Sequence, residues 1–411
     1  MNLLTDPLFR VAGEKGIEHL NLPSLLAELG KDTVDYFVGI QGYQHDPFHV
    51  FLCYLAGAIL AGDGAVEPVQ GEEYWRVGLL KLAGSAGHEA WQLFSDDYTR
   101  PAFMQAPLAG EKRKPSSIMD TPDQLDLLLT VKNHDLKKKR AIATQVDTWI
   151  YALINLQTVS SYHGSNNYGI SRMNGGSGNR AIVELFRNQR SGQRWCDAVN
   201  RLLSHRKQVL SMPFGYDPKG LVLTWLKPWD GQGSLELAEL DPFYIEICRR
   251  IRLIGQKRVE RGEFYPSRHP RIAAKELNGV VGDPWLPIDL SREGKPRALT
   301  FPPEGITAEH MRRFIFEDKV RLSMLQKPAP NWTGDLWLSV SVFVQKEGVN
   351  RISNGFHIWQ ERIPKEKTLS IFKSPTEREA LEKLGRDAID CAVTMQHRVL
   401  KPAVFAYALG A

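Results

Sequence analysis

An α+β fold is predicted by three observations. Residues 46–61 and 144–161 are long segments that are apolar on nearly every side, as core-buried helices are. Residues 336–344 and 356–363 have strong strand propensity and flank a short glycine-containing stretch, as in a hairpin. Between these blocks, short strand-like runs alternate with turn-rich links. The expected architecture is a large mixed domain, residues 1–370, with buried helices and small antiparallel sheets. A reduced helical C-terminal segment, residues 371–411, follows it.

The chain has 411 residues, 43% of them hydrophobic, enough for two or three real cores. Its net charge of +5 is mildly basic and gains meaning only where the positive residues cluster. Cys53, Cys196, Cys248 and Cys391 lie far apart with no CxxC pair. That argues against structural zinc and a disulfide framework and fits a reducing compartment. The N-terminal residues lack the pattern of a signal peptide. The longest apolar run, 51–61, is too short to span a bilayer. A cytoplasmic protein with no membrane partner is expected.

In order along the chain, residues 3–11 predict a turn and a short strand. A first helix starts around Pro23, tolerated in a first turn, and stops at Gly30. Helix 46–61 carries His45 and His49 at a spacing that suits a metal pair, but no third ligand supports one, and packing is the expected role of His49. Helices are expected over 72–82 and 88–94, then an extended Pro- and Phe-bearing connection over 98–107 and a polar loop over 109–122. After helix 144–161 come a strand at 182–186, a helix at 193–210 and an aromatic turn at 225–233 that suggests a subdomain boundary. Residues 279–287 read as a tight turn with a packed Trp285, and 307–325 as a helix with one charged face. The loop 349–355 is expected to mount Asn354, Gly355 and Phe356 at a rigid tip, where an aromatic either packs or wedges between bases. A final helix, 377–400, should be broken by Pro402.

Three stretches carry chemistry. Residues 162–180 hold Gly164, Gly169, Gly175, Gly176 and Gly178, with Asn166, Asn167, Asn174, Asn179 and two arginines, Arg172 and Arg180. Glycine lets a backbone approach a partner closely, and asparagine can bond a base edge. The readings left open are a flexible surface loop and a backbone-rich contact for a polyanion. Residues 132–140 concentrate Lys132, Lys137, Lys138, Lys139 and Arg140 against one acid, either as a solvated face or as a phosphate contact. Residues 249–275 hold nine basic and two acidic residues, read as strand edges with arginine on the outer face, either simply exposed or gripping phosphate.

Several enzyme signatures are absent: GxxxxGK[ST], HExxH and GxSxG. The His134–Asp135 pair alone does not make a divalent-metal site, which needs several converging ligands. No catalytic residue, cofactor or metal is expected.

The segments NLLTDPLFRV (2–11), RPAFMQ (100–105), NYGISRMNGG (167–176) and GFHIWQERIP (355–364) together resemble the CasA family, the large subunit of the type I-E CRISPR surveillance complex, Cascade. The resemblance spans about residues 1–370. It implies a non-catalytic subunit of an RNA-guided interference complex. Such a subunit sits near the guide-RNA handle and contacts backbone and handle-binding subunits. It recognises the motif flanking the target (the PAM) in double-stranded DNA from the minor groove and starts duplex opening, while guide pairing reads the sequence. Carried to this chain, the glycine loop would be residues 164–180, with Gly164, Asn166, Asn167, Gly169, Arg172, Asn174, Gly175 and Gly176 as DNA contacts. The family's groove lysine falls best on Lys275, with Lys257 behind it. The wedge falls on the tip at 353–356, with Asn354 and Phe356 as its candidates and Gly355 between them. Lys132, Lys137, Lys138, Lys139 and Arg140 would meet guide RNA or a neighbouring subunit.

The family is usually longer and ends in a helical bundle, whereas only a short stretch follows Ser374 here. That leaves open whether the nuclease partner is a separate helicase–nuclease or is carried on another subunit. The rival readings are a metal-dependent nuclease using His134 and Asp135, and an RNA-binding assembly scaffold that never touches DNA.

Overall fold

The computed structural model describes residues 1–108, 114–125, 145–159, 166–169, 172, 180–291, 294–302, 305–317, 319–329, 332, 334–348 and 351–410; for 345–348 and 351–354 it describes the backbone only. The architecture is α+β, with buried helices and small sheets, as expected. Strands β1 (Phe9–Gly13), β2 (Gly16–Leu20) and β3 (Tyr36–Phe37) form one small antiparallel sheet. Helix α1 (Leu22–Gly30) separates the second and third of them, capped where the Asn21 side chain accepts the Ser24 N–H.

Helix α2 (His45–Asp63) is buried from Asp46 to Leu60 and forms the centre of the main core. Its neighbour α3 (Glu72–Ala83) approaches through Gly78, where a Cβ would sit 2.4 Å from Ile59. The helix expected at 88–94 is instead a 3₁₀ stretch, Gly84–Trp91, because Gly84 and Gly87 both adopt positive φ.

After β4 (Ser117–Met119) and the single turn α4 (Pro122–Leu125), helix α5 (Val146–Thr158) crosses the core beside α2 and is buried along its length. Strand β5 (Ala181–Phe186) and the long amphipathic α6 (Ser191–Ser211) follow. Gly192, in the first turn of α6, lies against α1. A Cβ there would come within 2.7 Å of the Asp32 Cα and 2.9 Å of the Leu29 carbonyl. Those neighbours are backbone and cannot swing aside. Gly192→Ala is therefore expected to cost about 1–3 kcal/mol, read as a lower denaturant midpoint.

Strands β6 (Leu221–Leu223) and β7 (Leu240–Ile245) pair in parallel. Strands β8 (Arg250–Gly255) and β9 (Val259–Tyr265) form an antiparallel sheet with β4 at its edge. Trp225 and Trp229 both belong to the main core, which runs from Leu3 to Phe343, so the aromatic turn at 225–233 is an internal corner and not a boundary.

The short strands β10 (Ile288–Asp289), β11 (Arg297–Ala298) and β12 (Val320–Arg321) make a small sheet beside α7 (Ala308–Phe316). The helix expected over 307–325 stops at Phe316, because Glu317 is extended and the chain enters β12. Strands β13 (Leu336–Gly348) and β14 (Arg351–Ile363) form a thirteen-residue hairpin ladder, and β5 pairs on the far side of β13. Alternate residues of β13 face opposite ways: Leu338, Val340 and Val342 enter a second core with Met311, Phe314 and Ile371, while Phe343 enters the main one. A strand covered on both faces reads as a continuous apolar run, which is how residues 336–344 look in the sequence.

This ladder corrects one expectation. Asn354, Gly355 and Phe356 are not at a tip: they pair with Gln345, Val344 and Phe343 inside it.

Helices α8 (Lys365–Phe372) and α9 (Pro375–Met395) end the body of the chain. Pro402 does not break the last helix. A π turn, Gln396–Leu400, absorbs it and α10 (Lys401–Leu409) continues. Among the described residues, no helix is long and apolar enough to cross a membrane.

Candidate nucleic-acid interface

Helix α5 carries the chain to the glycine-rich stretch, and its last turn is fixed by a buried glutamine. Gln157 Nε2 donates to the carbonyls of Met104 (2.8 Å) and Arg249 (3.1 Å), and its Oε1 accepts the N–H groups of Cys248 and Arg249, both at 2.8 Å. A buried amide with both ends filled pins the helix, the 101–107 connection and the corner before β8 to one another.

Residues 160–165, 170–171 and 173–179 lie outside the described residues, and with them Gly164, Asn174, Gly175 and Gly176. Those that are described run along one edge of the body. The Asn166 carbonyl accepts the Ser267 N–H at 2.6 Å, and Asn167 forms a β-bridge with Ser267. Asn166 is exposed, and Gly169 turns the chain inward with φ of +68°.

Arg172 then enters the core. Its N–H donates to Glu246 Oε2 at 2.9 Å, its Nη2 to the Tyr244 carbonyl at 2.5 Å, and its guanidinium lies 4.4 and 3.9 Å from the ring centroids of Tyr54 and Tyr244. It is 1% exposed, so its expected contact with DNA is corrected: the side chain anchors the loop from inside.

Arg180 enters the same pocket from the other end of the stretch. Its Nη1 donates to the other oxygen of Glu246 at 2.7 Å, and its Nη2 makes an ion contact of 2.6 Å with Asp283. One carboxylate, Glu246, thus holds the residues on both sides of 173–179. Two buried cations meet two buried anions, so the charges cancel. Burial works against the Arg172 cation, but Tyr54, Tyr244, Asp283 and Glu246 outweigh it and hold its pKa above the ordinary value. The same balance raises Arg180.

The surface over this base is built from neighbours of Ser267. Arg268 and His269 are exposed, and their N–H groups both donate to the carbonyl of Gly231, which holds φ of +81° to receive them. Asn166, Arg268 and His269 therefore share an edge with the chain entering the glycine stretch. Lys275 is exposed on a 3₁₀ turn, Lys275–Leu277, further along the same segment, and Lys257 is exposed beyond β8. In the sequence Arg268 is only one of nine basic residues; nothing in its local pattern separates it from the rest.

Most of that basic run is not surface. Arg249, Arg250, Arg252 and Arg271 are all under 5% exposed, against the expectation of arginines on an outer strand face. They serve as clamps on main-chain carbonyls: Arg250 on Trp229 and Pro266, Arg271 on Thr224, Lys227 and Pro228, Arg252 on Arg100 and Asp97. Each guanidinium offers five donors in a fixed fork, enough to close several loop carbonyls at once. Burial pulls Arg249, Arg252 and Arg271 down to about 10.

Phe356 is half-buried, edge-on to Tyr43 with centroids 6.0 Å apart. It lines one small crevice with Val159 and Arg180, the residues from which the chain leaves and to which it returns around the glycine stretch. The fold brings the 354–356 segment to the base of the glycine loop, although not as a tip. Lys132, Lys137, Lys138, Lys139 and Arg140 lie outside the described residues.

A second buried charge network sits behind the site. Arg194 bridges Glu184 (2.8 Å) and Asp46 (2.9 Å), and His49 Nε2 lies 3.2 Å from Glu184. His49 is therefore a packed histidine, as expected, edge-on to Trp285. Burial alone would raise the Glu184 carboxyl, but Arg194 and His49 hold it far below the ordinary value of 4.5. A carboxyl depressed on folding stabilises the protein above its unfolded pKa, and that contribution is lost as pH falls below it. The contribution of Glu184 should be fully present above pH 4.5 and fall steadily under it. Glu184→Gln should flatten the part of that fall due to this group, as read from denaturation midpoints at about pH 7 and about pH 3.

Among the described residues, no group of three or more His, Cys, Asp or Glu is placed to hold a metal ion. His134 and Asp135 lie outside them.

No protein-family model matches the chain, and no curated protein sequence does. Its fold, however, is found among CRISPR-associated proteins. Thermus thermophilus CasA (Cse1) superposes with a TM-score of 0.59 at 16% identity, over 97% of this chain and 82% of that one. A second structure, of a CRISPR-associated protein from Thermus thermophilus, superposes with a TM-score of 0.54 at 15% identity, over 97% of this chain and 79% of that one. At these identities the likeness is one of fold.

Proposed function

We propose that this chain is the non-catalytic large subunit of an RNA-guided surveillance complex. In this reading it recognises the motif flanking a double-stranded DNA target through the minor groove and begins to open the duplex. The observation that carries the reading is the Glu246 clamp. A glycine- and asparagine-rich segment that must enter a narrow groove needs a stiff mount, since ordering a free loop on binding costs affinity. Arg172 and Arg180, drawn onto one buried carboxylate, supply that mount. The fold shared with CasA supports the same class of role.

In this reading Asn166, Asn167 and the segment 173–179 meet the groove floor, where small polar groups and backbone fit, while Gly169, buried, only turns the chain toward its mount. Arg268 and Lys275 meet phosphate, which positions the duplex without reading it. Phe356, or the residues next to it in the ladder, lies where the opened strands would part. Guide RNA, target DNA and the backbone and handle-binding subunits are the partners, and a helicase–nuclease or a nuclease on another subunit does the cutting.

The test is a salt titration of duplex binding by the guide-loaded complex. Arg268→Ala should weaken binding equally for all flanking sequences and reduce the slope of log K against log salt by about 1. Asn166→Ala with Asn167→Ala should leave the slope in place and flatten the preference among flanking sequences. An unchanged preference after the asparagine changes would remove those residues from readout.

A further inference from the structure

A cleft opens next to the segment 354–356, on the face of β14 that carries Phe356. Side chains two apart on a strand share a face, so Phe356, Ile358 and Gln360 form a row with a step of about 7 Å. Phe356 meets Tyr43 of the 3₁₀ turn Gly42–Gln44. Gly42 and His45, on either side of Tyr43 in the chain, line the cleft together with Ile358 and Gln360. Its volume is about 320 Å³, within the range of ligand sites. Its floor is sealed: Leu29, Leu52, Phe186 and Trp195 are at most 3% exposed. Its mouth is open, with Tyr36 57% and Ile358 49% exposed.

A fixed donor is left over in it. Arg194, from α6, gives its Nε to Glu184 at 3.1 Å, and its Nη2 to Glu184 at 2.8 Å and to Asp46 at 2.9 Å. Its guanidinium lies 4.5 Å from the ring centroid of Phe186. Nη1 bonds no described residue, and it is not sealed from solvent. Two carboxylates thus hold the side chain still while the N–H groups of Nη1 remain to be satisfied. His45 is the second polar group. Its ring lies 6.4 Å from that of Phe37 and bonds no described residue. Burial pulls its pKa below 6.5, so near pH 7 the ring is neutral and offers one N–H and one lone pair.

Charge and shape select the occupant. Arg194 is the one lysine or arginine that lines the cleft among the described residues. Glu184 and Asp46 already balance it, and Asp35 adds an acid. A phosphate would meet no unpaired cation there, and a cation would meet the free N–H groups of Arg194. A neutral ligand with flat faces and acceptors on one edge meets neither objection. The rings of Tyr36, Phe37, Phe186 and Trp195 supply the aromatic surface. A purine base matches: its faces stack on aromatic rings, and its N7 edge accepts from a guanidinium.

We infer that this cleft takes one unpaired purine of the displaced DNA strand, its N7 edge toward Arg194. The inference rests on the function proposed above. Bases of the other strand pair with guide RNA, so the displaced strand is the one left with free bases. The row of β14 side chains leads from Phe356, where the strands part in that reading, to Ile358 at the mouth of the cleft, a step of about 7 Å. Capturing the base offsets the cost of taking it out of the stack, so the cleft favours the open duplex over the closed one.

The test is dimethyl sulfate footprinting of the guide-loaded complex on a flanked duplex whose first few target positions are mismatched and carry guanine on the displaced strand. The mismatches make these bases available whether or not the chain opens DNA. With the native chain, N7 of one of these guanines should be protected and the others methylated. Ile358→Trp fills the mouth from an exposed position. It should expose that guanine and weaken binding of this duplex about tenfold, the scale of one stacked base, with the preference among flanking sequences unchanged. Tyr36→Ala, which removes a wall, should act in the same direction. Equal methylation of all these guanines with the native chain overturns the inference, and leaves the proposed function standing where the flanking preference persists. Protection that survives Ile358→Trp overturns the cleft as the place of binding. Protection of a guide-RNA guanine in place of the DNA one overturns the displaced strand as the source of the base.

Discussion

Glu246→Ala is expected to destabilise the protein by about 3–5 kcal/mol, because it leaves two buried guanidinium groups facing a single remaining carboxylate. Arg180 loses its 2.7 Å partner, and Arg172 loses the acceptor for its N–H. The loss falls on both ends of residues 173–179 at once, so the consequence for binding should exceed that of any single loop substitution. Glu246→Gln is the informative variant. It keeps an acceptor and the volume but removes the charge and offers an N–H toward one arginine. It should remain folded, with a lower denaturation midpoint, and the guide-loaded complex should bind flanked duplex about tenfold more weakly, as expected when the loop must be ordered at the moment of binding. An unchanged affinity with the lowered midpoint would make the clamp a matter of stability alone.

Arg194→Met carries the second large effect. Arg194 is the cation between Glu184 on β5 and Asp46 on α2, and Asp46 also accepts the Ser341 hydroxyl from β13. Removing it leaves two carboxylates buried with only His49 and neutral donors, at a cost of about 3–5 kcal/mol. Adding Glu184→Leu should recover part of that loss, because the surviving charge problem is then Asp46 alone. The coupling between the two substitutions, measured as a double-mutant cycle, should be of the order of 1–3 kcal/mol. Additive effects would show that the network is not coupled as the distances imply.

The core helices are legible in the sequence because their signal is a local one. Residues 46–61 are apolar on all sides, and only a central helix can use such a segment. The strand 336–344 is legible for the same reason. What fails depends on partners far away in sequence. Asn354 and Gly355 read as turn residues, but β13 and β14 continue as a ladder, and pairing across the hairpin overrides the local preference. The arginines of 249–271 read as surface because charge on a strand is normally solvated. Their acceptors are main-chain carbonyls of Trp229, Pro266 and Thr224, and a carbonyl leaves no trace in a sequence. Glu246 escapes for a related reason: one acid in an apolar strand-like run has no motif, and its meaning appears only when Arg172 and Arg180 arrive from some seventy residues away. The glycine-rich stretch itself is visible as a pattern, whereas its mount is not. Pro402 reads as a stop because the usual outcome is a broken helix; a π turn is the less common way to accommodate it.

The proposed role requires that this chain read the sequence beside a target. The measurement that tests this most directly is selection from duplexes carrying a randomised flanking region by the guide-loaded complex, assembled with the native chain, with the Glu246→Gln chain, and without the chain. The proposed role predicts enrichment of one short flanking motif with the native chain, weakened enrichment with Glu246→Gln, and none without the chain. Equal recovery of all flanking sequences in all three assemblies would contradict it, and would leave the chain as an assembly subunit whose basic residues meet RNA.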